Sequence, residues 1–132
     1  MRLLHDLQAL GLFALYLVMG AAMLGAFTRA YVWITPYHEA SDIRSGKFAP
    51  AIALVGAMLG FTAPLLSASF YGASIGDYLL WGIIAGLVQL ICFKVLYWLL
   101  SGQIGHGNGA AALVYAGAAV SIGLINAFSI IP

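Results

Sequence analysis

Residues 48–76 read FAPAIALVGAMLGFTAPLLSASFYGASIG, a run of 29 residues without one Asp, Glu, Lys or Arg. A helix rises about 1.5 Å per residue and needs about 20 mainly apolar residues to cross the hydrocarbon core of a bilayer, so this stretch is long enough to span one. Working outward from it, the same test selects three further segments. Residues 7–34 carry no charge before Arg29, residues 78–100 are interrupted only by Lys94, and residues 110–130 are uncharged. The breaks between them are chemical. Pro36 pushes Thr35 out of helical geometry, residues 72–77 form a tight turn, and residues 101–109 hold four glycines.

Composition agrees. The chain has 132 residues, of which only 7% are charged and 64% are hydrophobic, against about 25% charged in a soluble domain. So little polar surface cannot coat a water-facing globule, and most of the outside must meet hydrocarbon. The fold expected is therefore an all-α integral membrane protein with four transmembrane helices, residues 1–132 forming one membrane domain. A net charge of +1 gives no basic footprint for nucleic acid. The single cysteine, Cys92, has no partner for an intrachain disulfide and reads as a small apolar residue. The first segment outruns the roughly 7–15 apolar residues of a signal-peptide core, so it is read as a span.

Arg29, Arg44, Lys47 and Lys94 fall at the ends joined by the first and third loops, and Arg2 alone lies on the other side. Positive residues near helix ends stay cytoplasmic. This places residues 35–50 and 101–109 in the cytoplasm, with both termini and the 72–77 turn facing outward.

The chain also repeats. At a shift of 59, Gly46, Ala51, Ala53, Leu54 and Val55 fall on Gly105, Ala110, Ala112, Leu113 and Val114, followed by Ala57, Leu65 and Ala68 on Ala116, Leu124 and Ala127. The preceding helices align at a shift of 66, Phe27 with Phe93 and Tyr31 with Tyr97. Two tandem helical hairpins are expected, about 7–73 and 77–131. An even number of crossings per unit makes them parallel, not inverted.

From residue 20 to the carboxyl terminus the sequence resembles a bacterial membrane family catalogued as domain of unknown function 350, the YjfL-like proteins. The resemblance rests on Thr35-Pro36-Tyr37-His38-Glu39, Ile43-Arg44-Ser45-Gly46-Lys47, the segments 56–64 and 77–89, and Gly123-Leu124-Ile125-Asn126-Ala127. It implies two-helix units arranged in pairs and a role in envelope physiology. One departure is Lys47, which stands where the family pattern has Asn after Gly; Asn108 keeps that asparagine in the second unit.

Helices associate in lipid where small residues let backbones approach. Gly56 and Gly60, Gly82 and Gly86, Ala21 and Gly25, and Ala112 and Ala116 each form such a pair four residues apart. Together they exceed what four helices need among themselves, which points to a homo-oligomer. Pro64 should kink the second span and free a carbonyl near Gly60. Arg29 and Lys94 are expected to reach to the interface, and Asp77 to cap the third span. Gln89 and Asn126 lie at membrane depth, where an amide must pair between helices or line a wet path.

In the first loop, a short helix would put His38 and Asp42 on one face, with Glu39 adjacent. Two ligands do not make a metal site, so no metal or other cofactor is expected. Asn108 and His106 sit in the glycine-rich loop. No catalytic constellation is present, and the chain is not expected to be an enzyme. Two roles fit: an oligomeric channel or transporter for a small solute or ion, with Asp77, Gln89 and Asn126 as pathway candidates, or an anchor that recruits a cytoplasmic partner through residues 35–50.

Overall fold

A computed structural model describes residues 1–35, 39–99, 104 and 106–132, leaving aside the side chains of residues 39 and 40. Its elements are α1 (Arg2–Ile34), α2 (Glu39–Arg44), α3 (Phe48–Tyr71), α4 (Ile75–Leu99) and α5 (Gly109–Ile130). Among the described residues there is no strand, and α1, α3, α4 and α5 are long and apolar enough to cross a membrane.

The helix ends follow the sequence signals. Thr35 ends α1 in extended backbone at φ −85° and ψ 135°, as the residue before a proline must. Gly46 and Gly107 take φ of 84° and 81°, a region open to glycine, and each precedes the residue that opens a spanning helix. Asn108 then caps α5, its Oδ1 accepting from the Ala111 N–H at 3.1 Å. Lys47 stands at the same step before α3 and makes no side-chain cap. The asparagine of this step is thus a helix cap, and lysine, which has no acceptor atom, cannot supply it. α1 begins at Arg2, ahead of the expected residue 7, because nothing in residues 2–6 breaks a helix.

Contacts between helices fix the directions. Gly56 lies on Ala116, Gly60 on Ala119, and Ser67 Oγ donates to Ala127 O, so α3 and α5 run parallel. α1 and α4 are also parallel, with Tyr16 beside Tyr78, Met23 on Gly82 and Tyr31 beside Phe93. α4 is antiparallel to both α3 and α5: Gly82 meets Leu65 and Gly86 meets Phe61, while Asn126 reaches Ala85 and Gln89 reaches Ala119. The α3/α5 pair is the spine, α4 packs along it, and α1 covers α3 and α4 through its second half only.

An aromatic core locks three of these helices to α5. Phe27 stacks on Phe61 at 4.3 Å between ring centroids, Phe93 meets Phe27, Tyr31 and Tyr115 edge-on or tilted, and Tyr31 and Tyr115 are fully buried. Aromatic pairs of this geometry contribute about 0.5–1.5 kcal/mol each beyond their area.

Candidate functional site

The polar residues that sequence places at membrane depth converge on one region, where α4 crosses the α3/α5 spine. Gly60 and Gly123 make the crossing possible. A Cβ at Gly123 would overlap the Gly60 carbonyl oxygen, so the hydrogen that Gly123 carries in that direction points at that oxygen. Pro64, fully buried within α3, has no N–H to offer the Gly60 carbonyl four residues earlier. Contact with the Gly123 Cα–H is what remains for it, a weak hydrogen bond of the kind common between closely packed helices.

Gln89 enters the crossing from α4. It is fully buried, and its Nε2 donates a long 3.5 Å hydrogen bond to Ala119 O while Oε1 has no partner. Asn126 answers from α5, its Nδ2 donating to Ala85 O at 3.1 Å. Each helix therefore offers one amide to a backbone carbonyl of the other. Ser67 adds a third such bond, from α3 to Ala127 O at 2.8 Å. Bonds of this type in a membrane interior contribute about 0.6 kcal/mol each. Each bond uses one of the two N–H donors of its amide inside one chain; Gln89 has no exposed surface, and Asn126 is half-buried.

Asp77 stands apart from both amides, eight residues before Ala85 and twelve before Gln89 along α4, about 12 and 18 Å. It lies in the first turn of α4, where Ser74 Oγ accepts from the Asp77 N–H at 3.2 Å and Asp77 Oδ2 accepts from the Ala73 N–H at 3.1 Å. Ser74 thus holds the cap position, and Asp77 reaches back past it to the N–H one residue earlier, a variant of the capping box. The sequence reading named Asp77 alone. The serine three residues before an acidic residue was the signal that identifies the pair.

The small-residue pairs divide by use. Gly56 and Gly60 receive α5; Gly82 receives Met23, and Gly86 receives the Phe61 ring, which a Cβ added there would meet at 3.2 Å. Ala112 is buried. Only the pair on α1 is unspent: Ala21 is exposed and nothing lies within 4 Å of a Cβ at Gly25. The surplus expected from sequence thus shrinks to one helix.

In the first loop, Asp42 Oδ1 holds Lys47 Nζ at 3.0 Å, an exposed ion pair that steadies the turn after α2. His38 and the side chain of Glu39 lie outside the described residues, so the proposed His38–Asp42 face is not part of the structure. Among the described residues no three His, Cys, Asp or Glu groups come together as metal ligands would. Hollows among the described residues that face outward include an apolar groove of about 510 Å³ between α3 and α5, lined by Val55, Leu59, Leu113 and Val120 among others, and one of about 160 Å³ between α1, α3 and α4.

α1 is the least covered helix. Residues 1–15 are exposed throughout, and contact with the rest of the chain begins at Tyr16. Its 33 residues reach about 50 Å, well beyond a hydrocarbon core of about 30 Å. Leucine recurs at every seventh position, at Leu3, Leu10, Leu17 and Leu24, with Leu7, Ala14 and Ala21 between them. All but Leu24 are exposed. That 3–4 spacing matches the spacing of a coiled-coil seam.

Comparison with known proteins accords with this architecture. The family model described as Domain of Unknown Function (DUF350) matches residues 4–130. The UPF0719 inner membrane protein YjfL of Escherichia coli strain K12 is 36% identical over 127 residues, covering 94% of this chain and 96% of that protein. YjfL of Escherichia coli O157:H7 matches to the same extent. No solved structure matches.

Proposed function

The chain belongs to the Domain of Unknown Function (DUF350) family, and from that premise we propose that it is an inner-membrane subunit acting as a homo-oligomer, with the path of a channel or transporter for a small solute or ion lying between copies. The observation that carries the reading is α1, whose seam of Leu3, Leu7, Leu10, Ala14 and Leu17 is uncovered by its own chain. Copies inserted in the same direction are related by an axis along the membrane normal, so α1 meets α1 in parallel. Leucine at one seam position, with Ala14 and Ala21 following Leu7 at the other, allows a close two-helix contact.

A path through a single chain is disfavoured by the sealed crossing at Gln89 and Gly60, which is why the route is placed between subunits. The reading is of a non-enzyme, with the α2 end cytoplasmic as the positive residues suggest. The placement in an inner membrane rests on the name of the YjfL relatives. The tandem-hairpin organisation belongs to the same proposal. It is supported by the parallel runs of α1 with α4 and α3 with α5, and by the matching Gly46-Lys47 and Gly107-Asn108 steps.

The test is flux of potassium and of glycerol from proteoliposomes. Wild type should release one of them faster than protein-free vesicles. Ala14→Phe with Ala21→Phe, which keep the surface apolar but wedge the seam, should lower both oligomer and flux, whereas Gln89→Leu should leave flux intact. An oligomer that passes neither solute would support an anchor that recruits a partner through residues 35–50, a segment whose α2 turn is already ordered by the Asp42–Lys47 pair. A monomer at all protein densities would defeat the channel or transporter and leave the anchor.

A further inference from the structure

Arg29 and Lys94 are the two cations within the spanning helices clear of their first turns, and both are exposed. Each lies five residues before the end of its helix, Ile34 in α1 and Leu99 in α4, about 7 Å inside it. Because α1 and α4 run parallel, the two cations stand at one end of the bundle and at similar depth. Four residues further on, each helix carries a tryptophan: Trp33 is 86% exposed and Trp98 is 75% exposed. Residues four apart share a helix face. On α1 that face is opposite the buried Phe27 and Tyr31, so it looks into lipid.

Among the described residues neither cation has an acidic partner. The only ion pair among the described residues is Asp42–Lys47, and Asp77 is at the other end of α4. Side chains lean toward the N-terminus of a helix, which tips both cations inward, away from the interface. Each must turn back past its own tryptophan to reach polar surroundings, and an unpaired charge at this depth is poorly solvated. The anion that approaches from that side in a bilayer is a headgroup phosphate.

We propose that Arg29 with Trp33, and Lys94 with Trp98, form two lipid-facing sites for the headgroup of an anionic phospholipid. The cation takes the phosphate, Arg29 with two parallel N–H donors and Lys94 as a point charge. The indole sits at the headgroup boundary, where tryptophan is favoured. The sites do not depend on self-association.

The experiment uses Trp81→Phe protein, which leaves Trp33 and Trp98 as the fluorophores, in phosphatidylcholine bilayers. Bromine-labelled phosphatidylglycerol or bromine-labelled phosphatidylcholine is added at equal mole fraction, and quenching of the two tryptophans reads lipid occupancy. Phosphatidylglycerol should be preferred about fivefold at each site, the effect of one cation near an anionic surface. The preference should fall toward one in Arg29→Gln with Lys94→Gln and persist in Arg29→Lys, with unchanged helicity. Inorganic phosphate in large excess should not relieve the quenching. Equal quenching by the two lipids in the unsubstituted protein, an undiminished preference in the double variant, or competition by inorganic phosphate would each overturn the proposal.

Discussion

A methyl group at Gly123 has nowhere to go. Built there, it overlaps the Gly60 carbonyl oxygen and comes within 2.6 Å of the carbonyl carbon and 2.7 Å of the Gly60 Cα. All three obstacles are backbone, so no rotamer change relieves them, and α3 and α5 must move apart by about 1 Å in a tightly packed interface. Overpacking of this kind costs about 1–3 kcal/mol. The separation also removes the Cα–H contact to Gly60 O, about 0.5–1 kcal/mol, and stretches the Ser67 bond to Ala127 O, about 0.6 kcal/mol. Gly123→Ala should therefore destabilise the protein by about 3 kcal/mol, measured by dodecyl sulfate titration in mixed micelles with circular dichroism and tryptophan fluorescence. Gly117→Ala is the control, because nothing lies within 4 Å of a Cβ there, and it should be neutral. A Gly123→Ala protein within about 0.5 kcal/mol of wild type, the range of an innocuous surface change, would refute the reasoning, as would equal losses at the two glycines.

Three further outcomes follow from the geometry. Gln89→Leu should change stability by less than about 1 kcal/mol, since its one bond is 3.5 Å long and its Oε1 is unpaired; a loss above about 2 kcal/mol in the same titration would show a stronger network than the structure holds. Ser74→Ala should cost about 1 kcal/mol by removing the α4 cap, while Ser69→Ala, whose hydroxyl bonds only to Leu66 O in its own helix, should cost little. Lys47→Asn should stabilise by about 0.5 kcal/mol, the cap gained at α3 exceeding the exposed ion pair lost with Asp42; thermal unfolding that shows a net loss would deny the cap.

Much of the architecture was legible before any coordinates, and the reason is specific to membranes. Charge-free runs and breakers such as Pro36 report helix ends directly, because lipid excludes any backbone that does not satisfy itself. The amides were legible as groups that must pair between helices or line a wet path, since Asn126 and Gln89 have few alternatives at that depth. Their partners were not, since backbone carbonyls carry no sequence signature. The aromatic core of Phe27, Phe61, Phe93 and Tyr115 was hidden for a related reason, as apolar residues facing lipid and apolar residues facing protein read alike. Glycine pairs gave the kind of contact but not its location: Gly82 and Gly86 admit side chains from α1 and α3 in the same chain, where sequence suggested a surplus for a second copy. The leucines of α1 were readable, and became conspicuous once the helix proved longer than a bilayer requires.

Disulfide cross-linking along α1 tests the central claim most directly. Single cysteines placed in turn at positions 3–24 of Cys92→Ser protein, oxidised in native membranes, should yield a covalent dimer with maxima at Leu3, Leu7, Leu10, Ala14 and Leu17, the period of about 3.5 residues expected of a parallel seam. Cross-linking that is absent at every position, or equally strong on all faces of α1, would contradict it.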